Sequence, residues 1–233
     1  MINIISKLIK LTLNASSSQR NKYAIIPFGC YCMPRVITTL CNLKPKKENG
    51  EKTCPFDLAF FDDINSNTEL LKTKFENFFE NLEYDKKRKL WVNKNYQATF
   101  LHDGDLNFEE FKEKYSKRIE NLYNYINNKN KHIFFVIATF TPIENKQIQD
   151  LINAIKQYRN ETEFTIIIIN QNTRKIVHNF KNVKIICLRK DKLFKKINEK
   201  SNGNWVKELK ELKTFDSILF YLKIVLKLKQ AIK

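Results

Sequence analysis

A cysteine stands where an apolar segment gives way to a predicted helix. The apolar residues Ile25–Phe28 are followed by Gly29, and Cys32 and Pro34 come shortly after it. Proline suits the first position of a helix because its φ is already helical and its missing N–H would have no partner there. Cys32 then lies at or beside the N-cap, where free N–H groups and the helix dipole favour the nucleophilic thiolate. The pattern predicts a nucleophilic Cys32; the alternative is that all the cysteines are small core residues.

A thiol nucleophile needs a base that accepts its proton and a third group that holds the base. Among the three histidines, His102 directly follows the apolar run Ala98–Leu101 and precedes Asp103. Open α/β sheets collect their ligands and chemistry at the carboxyl ends of their strands. His102 is therefore the predicted base.

The third group is sought among the carboxylates. Asp57 lies within the apolar stretch Pro55–Phe61, and a buried carboxylate requires a partner, which His102 would provide. The alternative for Asp57 is an N-cap of a segment that begins at Leu58. Asp103 is a second candidate, although adjacent residues of a strand point to opposite faces. Asp57 is preferred, and the choice between it and Asp103 stays open.

The elements that would position these residues follow from the apolar pattern. Continuous apolar runs, typical of buried strands, occupy Tyr23–Phe28, His132–Thr139, Glu163–Asn170 and Val183–Leu188. Stretches with helical periodicity occupy Asn67–Tyr84, Asn107–Ile126 and Glu144–Tyr158. Leu90–Val92 and Gln97–Leu101 predict a short additional strand pair. The alternation predicts an α/β fold: a mostly parallel sheet with helices on both faces, a short antiparallel strand pair and a basic C-terminal helix.

The composition fits one folded domain. The chain has 233 residues, of which 42% are hydrophobic, enough to bury a core. We expect a single domain over residues 21–213, preceded by an amphipathic segment at 1–20 and followed by a basic amphipathic helix at 214–233. Five cysteines give no disulfide framework, which favours a reducing, cytoplasmic compartment.

The net charge of +17 is concentrated near the C-terminus, since residues 171–233 hold 17 Lys and Arg against 5 Asp and Glu. The aromatic residues there do not interleave with the lysines as a nucleic-acid stacking platform requires, which disfavours nucleic acid as a partner. Four lysines exclude a membrane-spanning helix at 214–233. That helix either packs on the sheet or makes a peripheral contact with an anionic membrane at its inner face. Both are true if the apolar stripe packs on the protein and the lysines face the lipid. The predicted stripe consists of Phe215, Ile218, Leu219, Leu222, Val225 and Leu226.

No metal or cofactor is predicted. Cys30, Cys32, Cys54 and His102 could be recruited to a metal, but Cys-x-Cys without a second close pair is poor zinc spacing. The four glycines are scattered and form no phosphate-binding loop.

Four motifs in register give the chain a family resemblance. They are Gly29-x-x-Cys32, Pro55-Phe56-Asp57, Phe100-x-His102-Asp103 and Phe111-x-x-x-Tyr115-x-x-Arg118-Ile119, and they extend from about Tyr23 to Asn170. This order and spacing resembles the bacterial family described as "putative papain-like cysteine peptidase", whose function is undetermined. The resemblance implies that Cys32 is the family cysteine and His102 its histidine.

The resemblance also implies a class of activity. A thiol-dependent hydrolase, or an acyl- or glycosyl-group transferase of surface-polysaccharide assembly, would use Cys32, His102 and Asp57 on a peptide, glycan or small-molecule substrate. Arg118 would either bind an anionic substrate group or be the structural partner of a carboxylate. The alternative function is a non-catalytic, membrane-associated protein of a polysaccharide pathway.

Overall fold

The structure is a computed structural model that describes residues 22–45, 50–172, 178–188, 191–201 and 214–232 and the single positions 176, 207, 209 and 211. The predicted N-terminal segment 1–20 lies outside these residues. The strands are β1 (Tyr23–Pro27), β2 (Phe60–Phe61), β3 (Leu82–Asp85), β4 (Leu90–Asn93), β5 (Ala98–Phe100), β6 (His132–Thr139), β7 (Phe164–Asn170) and β8 (Val183–Cys187). The α-helices are α1 (Met33–Leu40), α2 (Ile64–Lys72), α3 (Phe108–Ile126), α4 (Asn145–Lys156), α5 (Lys192–Lys200) and α6 (Phe215–Ile232).

A parallel sheet with the order β1-β6-β7-β8 forms the centre of the molecule. Alternate residues of β6 enter opposite cores: Phe135 and Ile137 pack with α2, α3 and α4, while Phe134 and Val136 pack with α1, α5 and α6. Both faces are covered, which explains the unbroken apolar runs. The predicted α/β class and the four predicted strands are confirmed, each to within one residue at its ends.

The second sheet is antiparallel and larger than predicted. Its order is β2-β5-β4-β3, so the expected pair β4 and β5 is present within a sheet of four strands. The predicted helix Asn67–Tyr84 is wrong beyond Lys72, where α2 ends, and its last residues belong to β3. Lys74, Phe75 and Asn77 have positive φ, which a right-handed helix does not allow.

The apolar spacing that suggested this helix has another cause. Phe75 and Phe78 are buried, and their rings meet edge to face at 5.6 Å between centroids. Irregular turns therefore place both rings in the core without helical periodicity.

Helix α6 is rotated relative to the predicted stripe. Leu219 and Leu226, which the stripe placed inward, are 36% and 52% exposed. Val225 of the predicted stripe is buried as expected, together with side chains that the stripe did not include: Ser217, Phe220, Tyr221, Ile224, Leu228 and Ala231. The Tyr221 hydroxyl donates to the carbonyl of Leu40, at the end of α1, at 2.8 Å. Apolar residues on two faces of this helix leave its orientation open in the sequence. A buried tyrosine hydroxyl needs an acceptor, and the face that carries Tyr221 finds one in the core. None of the described helices has the length and apolar character that crossing a bilayer demands.

The orientation of α6 can be tested with two leucines two residues apart. We expect Leu228→Ala to lower the free energy of unfolding by about 2–5 kcal/mol because it leaves a cavity in a fully buried site. Leu226→Ala, the matched control, changes it by at most about 0.5 kcal/mol because the side chain is exposed. Urea unfolding of both variants measures the difference; equal losses would contradict this orientation.

Candidate active site around Cys32

Cys32 is the N-cap residue of α1, at the carboxyl end of β1. Its carbonyl accepts the N–H of Val36 at 3.0 Å. Pro34 is the second residue of the helix, one position later than predicted, and it has no N–H to offer. The first turn therefore presents the N–H groups of Met33 and Arg35, the kind of donors that stabilise an oxyanion.

Cys32 differs from most other cysteines in exposure. All five cysteines are free thiols; Cys32 and Cys187 are partly exposed, and the other three are buried. Burial, together with the charges of Asp63 and Asp62, raises the pKa of the Cys30 thiol to about 12. Burial also raises the pKa values of the Cys41 and Cys54 thiols. The thiolate is therefore disfavoured at these three positions, and Cys32 alone combines accessibility with a helix N-terminus.

Close packing fixes the turn that leads to Cys32. A Cβ atom on Gly29 would lie 2.7 Å from Cγ of the Pro34 ring, so a larger residue would push the turn away from the helix start. The Gly29 carbonyl accepts a hydrogen bond from the amide of the fully buried Asn67 at 3.0 Å. The Cys30 carbonyl accepts the N–H of Phe61 at 2.8 Å. Contacts from β2 and α2 thus hold the backbone on which Cys32 sits.

A buried cluster of four charged side chains anchors α1. Arg35 Nη2 donates a hydrogen bond of 2.7 Å to Glu51 Oε2, Arg35 Nη1 lies 2.7 Å from Oε1, and Lys44 Nζ lies 2.8 Å from Oε1. Asp57 Oδ2 lies 3.5 Å from Lys44 Nζ and 3.7 Å from Arg35 Nη1. Lys44 also donates to the carbonyl of Ile25 in β1 at 3.1 Å. Two cations and two anions balance, as burial of charge requires.

This cluster gives Asp57 a different partner from the predicted one. Asp57 ends a short 3₁₀ turn (Pro55–Asp57) and is completely buried. Burial raises the pKa of its carboxyl, against the charges of Lys44 and Arg35. Within the described part of the chain, no hydrogen bond or ion pair joins Asp57 to His102. Asp57 instead contacts Arg35, a residue of the helix that begins at Cys32.

Sequence reasoning missed Arg35, Lys44, Glu51 and Asn67. Lys44 is one of many lysines, and nothing in its neighbours distinguishes a buried lysine from a solvated one. The apolar residues around Asp57 did signal burial, but they carry no information about which cation lies opposite.

His102 lies in an exposed turn directly after β5. The side chain of Asp103 is 1% exposed and lies in the core; because β5 ends at Phe100, the opposite-face argument for strand residues does not apply to this turn. It accepts from the Tyr115 hydroxyl at 2.9 Å and from Arg118 at 3.0 Å, and Lys114 Nζ lies at 2.5 Å. Burial opposes ionisation, but the bond from Lys114 and the charge of Arg118 hold the pKa of the Asp103 carboxyl below its usual value.

Arg118 therefore has the environment of a structural partner. It is buried, and its guanidinium lies 4.5 Å from the centroid of the Tyr115 ring. Of the two roles that the sequence left open for Arg118, the ion pair with Asp103 accounts for its charge without a substrate.

A glycine closes the same turn. A Cβ atom on Gly104 would lie 2.0 Å from the Lys89 carbonyl oxygen, a distance that no side chain can occupy. The anchored Asp103 and the tight approach of Gly104 together determine the path of the backbone at His102.

The second sheet joins the Cys32 and His102 segments. The ring of Tyr31, next to Cys32, lies 5.7 Å from the ring of Phe60. Phe60 is opposite Thr99 in β5, and His102 follows three residues later, within about 11 Å of Thr99 for an extended chain. In the described residues the Cys32 thiol has no hydrogen bond to His102. The described residues also contain no group of three or more His, Cys, Asp or Glu side chains that could hold a metal ion.

Comparison with known families agrees with these motifs. The family described as "putative papain-like cysteine peptidase" matches residues 23–174, about two thirds of the chain. The chain therefore belongs to this family. No curated protein and no solved structure matches it. The matched range contains Cys32, Asp57, His102 and Arg118, whereas β8, α5 and α6 lie beyond it.

The buried charge cluster predicts a large cost for removing one cation. Lys44→Met leaves Glu51 and Asp57 with Arg35 alone, so we expect the free energy of unfolding to fall by about 3–5 kcal/mol. Lys94, which is 70% exposed and pairs with Glu83, provides the control: Lys94→Met costs at most about 1 kcal/mol. Urea unfolding measures both values, and similar losses would show that the cluster is not an anchor.

Proposed function

We propose that the protein is a thiol-dependent hydrolase or acyl transferase in which Cys32 is the nucleophile and His102 the proton acceptor. One observation carries this proposal: a partly exposed thiol at the N-cap of α1, at the carboxyl end of a parallel sheet, in a chain whose family is described as cysteine-peptidase-like. The N–H groups of Met33 and Arg35 in the first turn of α1 have no partner within the helix and are available to an anionic intermediate.

The proposed reaction has two steps. Cys32 Sγ bonds to an acyl carbon while its proton passes to His102, and the Met33 and Arg35 N–H groups stabilise the oxyanion. The bond to the leaving group breaks as His102 returns the proton to it, which leaves a thioester on Cys32. Water or another nucleophile then cleaves the thioester and regenerates the thiol. Hydrogen bonds of resting sites often tighten only when substrate is bound, and His102 sits on an exposed turn that substrate can reach.

We assign Asp57 and Arg118 positioning roles. Asp57 acts through Arg35, since both belong to the cluster that anchors the helix start. Arg118 acts through Asp103, which fixes the turn of His102. A role in surface-polysaccharide assembly and a cytoplasmic location stay predictions of the family resemblance and of the unpaired cysteines.

Thiol reactivity tests the nucleophile. At mildly acidic pH we expect iodoacetamide to modify Cys32 before the other four cysteines, because the three buried thiols have raised pKa values and Cys187 does not lie at a helix start. With p-nitrophenyl acetate as acyl donor, Cys32→Ser should abolish the rapid release of nitrophenol. His102→Asn should slow that release by about 10²–10⁴-fold, the usual contribution of a general base. Peptide mapping by mass spectrometry identifies the alkylated cysteines. Absorbance at about 400 nm, where nitrophenolate absorbs, follows the release of nitrophenol.

Cys187→Ser, which removes the other partly exposed thiol, and His178→Asn, which removes an imidazole outside the site, are the matched controls. Both variants should release nitrophenol at the rate of the original chain. Uniform, slow alkylation of all accessible thiols would reject a nucleophilic Cys32. A normal rate in His102→Asn would reject His102 as the base.

A second candidate function is peripheral attachment to an anionic membrane. The outer face of α6 exposes Leu219 and Leu226, and Lys223, which is 45% exposed and pairs with Asp191, lies between them. Exposed apolar side chains beside a lysine are what an interfacial helix presents to lipid. Because the other face of α6 fills the core of the molecule, deleting the helix would unfold the protein, so substitutions are the appropriate test.

Flotation with vesicles containing phosphatidylserine tests this attachment. We expect the protein to float with anionic but not with neutral vesicles. Leu219→Ser together with Leu226→Ser should weaken binding by about tenfold or more, from the apolar burial lost. Leu101→Ser is the control, since Leu101 is 61% exposed but belongs to another surface. Absence of binding to either kind of vesicle would reject attachment.

A further inference from the structure

Three aromatic rings form a surface beside Cys32. The Tyr31 ring lies 5.7 Å from the Phe60 ring and 5.3 Å from the Phe140 ring, with planes tilted by 36° and 39°. Phe60 and Phe140 are 37% and 40% exposed. The backbone N–H of Phe140 donates to the Tyr31 hydroxyl at 3.0 Å, which holds this aromatic surface together. Exposed, ordered rings next to a reactive group are suited to packing against an apolar part of a ligand.

An acidic cleft of about 640 Å³ is lined by residues that follow Phe60 and Phe140 along the chain. It lies between α2 and α4, and its lining includes Asp62, two residues after Phe60, and Thr141, which directly follows Phe140. The cleft and the aromatic surface therefore adjoin along two chain segments.

The charge of this cleft is opposite to that of the whole chain. Its lining holds five carboxylates and two lysines: Asp62, Asp63, Glu69, Glu144 and Asp150 with Lys72 and Lys146. Lys146 pairs with Asp150 at 2.7 Å and Lys72 with Glu69 at 3.6 Å. Asp63 caps α2 by accepting from Ser66.

Three carboxylates of the cleft, Asp62, Asp63 and Glu144, have no ion-pair partner among the residues that the structure describes. Asp63 and Glu144 accept backbone N–H groups at the starts of α2 and α4, and Asp62 has neither an ion pair nor such a bond there. No group of three ligating side chains suited to a metal ion occurs in that part of the chain either. The unpaired carboxylates therefore complement an organic cation rather than a bound metal.

We propose that the aromatic surface and the acidic cleft bind a peptide-type acyl substrate with an apolar group beside the reacting carbonyl and a lysine or arginine side chain a few residues away. This inference rests on the proposed function, since it makes Cys32 the reacting group. Shape and ring exposure select the apolar group, and charge complementarity selects the cation.

Peptide binding to the full chain carrying Cys32→Ser tests the proposal without chemistry. The probes are two fluorescein-labelled peptides that each contain one phenylalanine, one with two lysines and the other with two glutamates in their place. With a net charge of +17, non-specific attraction favours the glutamate peptide. We expect fluorescence anisotropy to show the lysine peptide binding at least about fivefold more tightly, as one well-placed ion pair can provide.

Substitutions in the cleft locate the effect. Asp62→Asn with Glu144→Gln should weaken binding of the lysine peptide about fivefold, and Phe60→Ala should weaken binding of both peptides. Asp85→Asn, which removes a carboxylate outside the cleft, should leave both affinities unchanged. Circular dichroism verifies that each variant is folded.

The outcomes separate this inference from the proposed function. Equal affinities, preference for the glutamate peptide, or a cleft variant that binds normally would overturn the inference. A preference for the lysine peptide combined with an unreactive Cys32 in the alkylation assay would overturn the proposed catalysis and leave the ligand class standing.

Discussion

The position of the candidate nucleophile depends on four charges buried together. Arg35, Lys44, Glu51 and Asp57 come from the first helix, the segment after it and a short 3₁₀ turn, and Lys44 also reaches the backbone of β1. An isolated charge at this depth is expensive, so none of the four can leave without stranding another. The cluster therefore holds the first strand, the helix that carries Cys32 and the 3₁₀ turn in one relative arrangement.

The second candidate catalytic segment is held by the same physical means. Asp103 lies in the core under Tyr115 and Arg118, and the adjacent His102 faces solvent. In both places buried ion pairs fix the backbone, and a more accessible side chain nearby, Cys32 or His102, is left for chemistry. The residues that anchor the backbone therefore differ from those that would react. Asp57 belongs to the anchoring group, and its partners are the cations Arg35 and Lys44 rather than an imidazole.

The sequence predicted what depends on local pattern. Buried parallel strands appear as unbroken apolar runs, and Pro34 after Gly29 marks a helix start, so β1, α1 and the N-cap position of Cys32 were predictable. The partners of Asp57 were not, because a carboxylate in an apolar stretch signals burial without naming the cation. The orientation of α6 was missed because apolar residues occur at helical spacing on more than one of its faces. The end of α2 at Lys72 was missed because the turns that follow also place aromatic rings at helical spacing. Only tertiary contacts choose among these arrangements.

The tight approach of Gly104 to the Lys89 carbonyl has a consequence for tracing descent. A distant relative can exchange most surface residues, but any side chain at this point would collide with the main chain of the preceding hairpin and force the loop open. A histidine alone is common in such loops and says little about ancestry. The consecutive triplet His102-Asp103-Gly104, with an arginine fifteen positions after the aspartate, identifies two features of the loop. The glycine marks the tight approach, and the aspartate with its arginine marks the buried ion pair that anchors the loop. This combination is the better criterion for deciding which diverged chains still build the same loop.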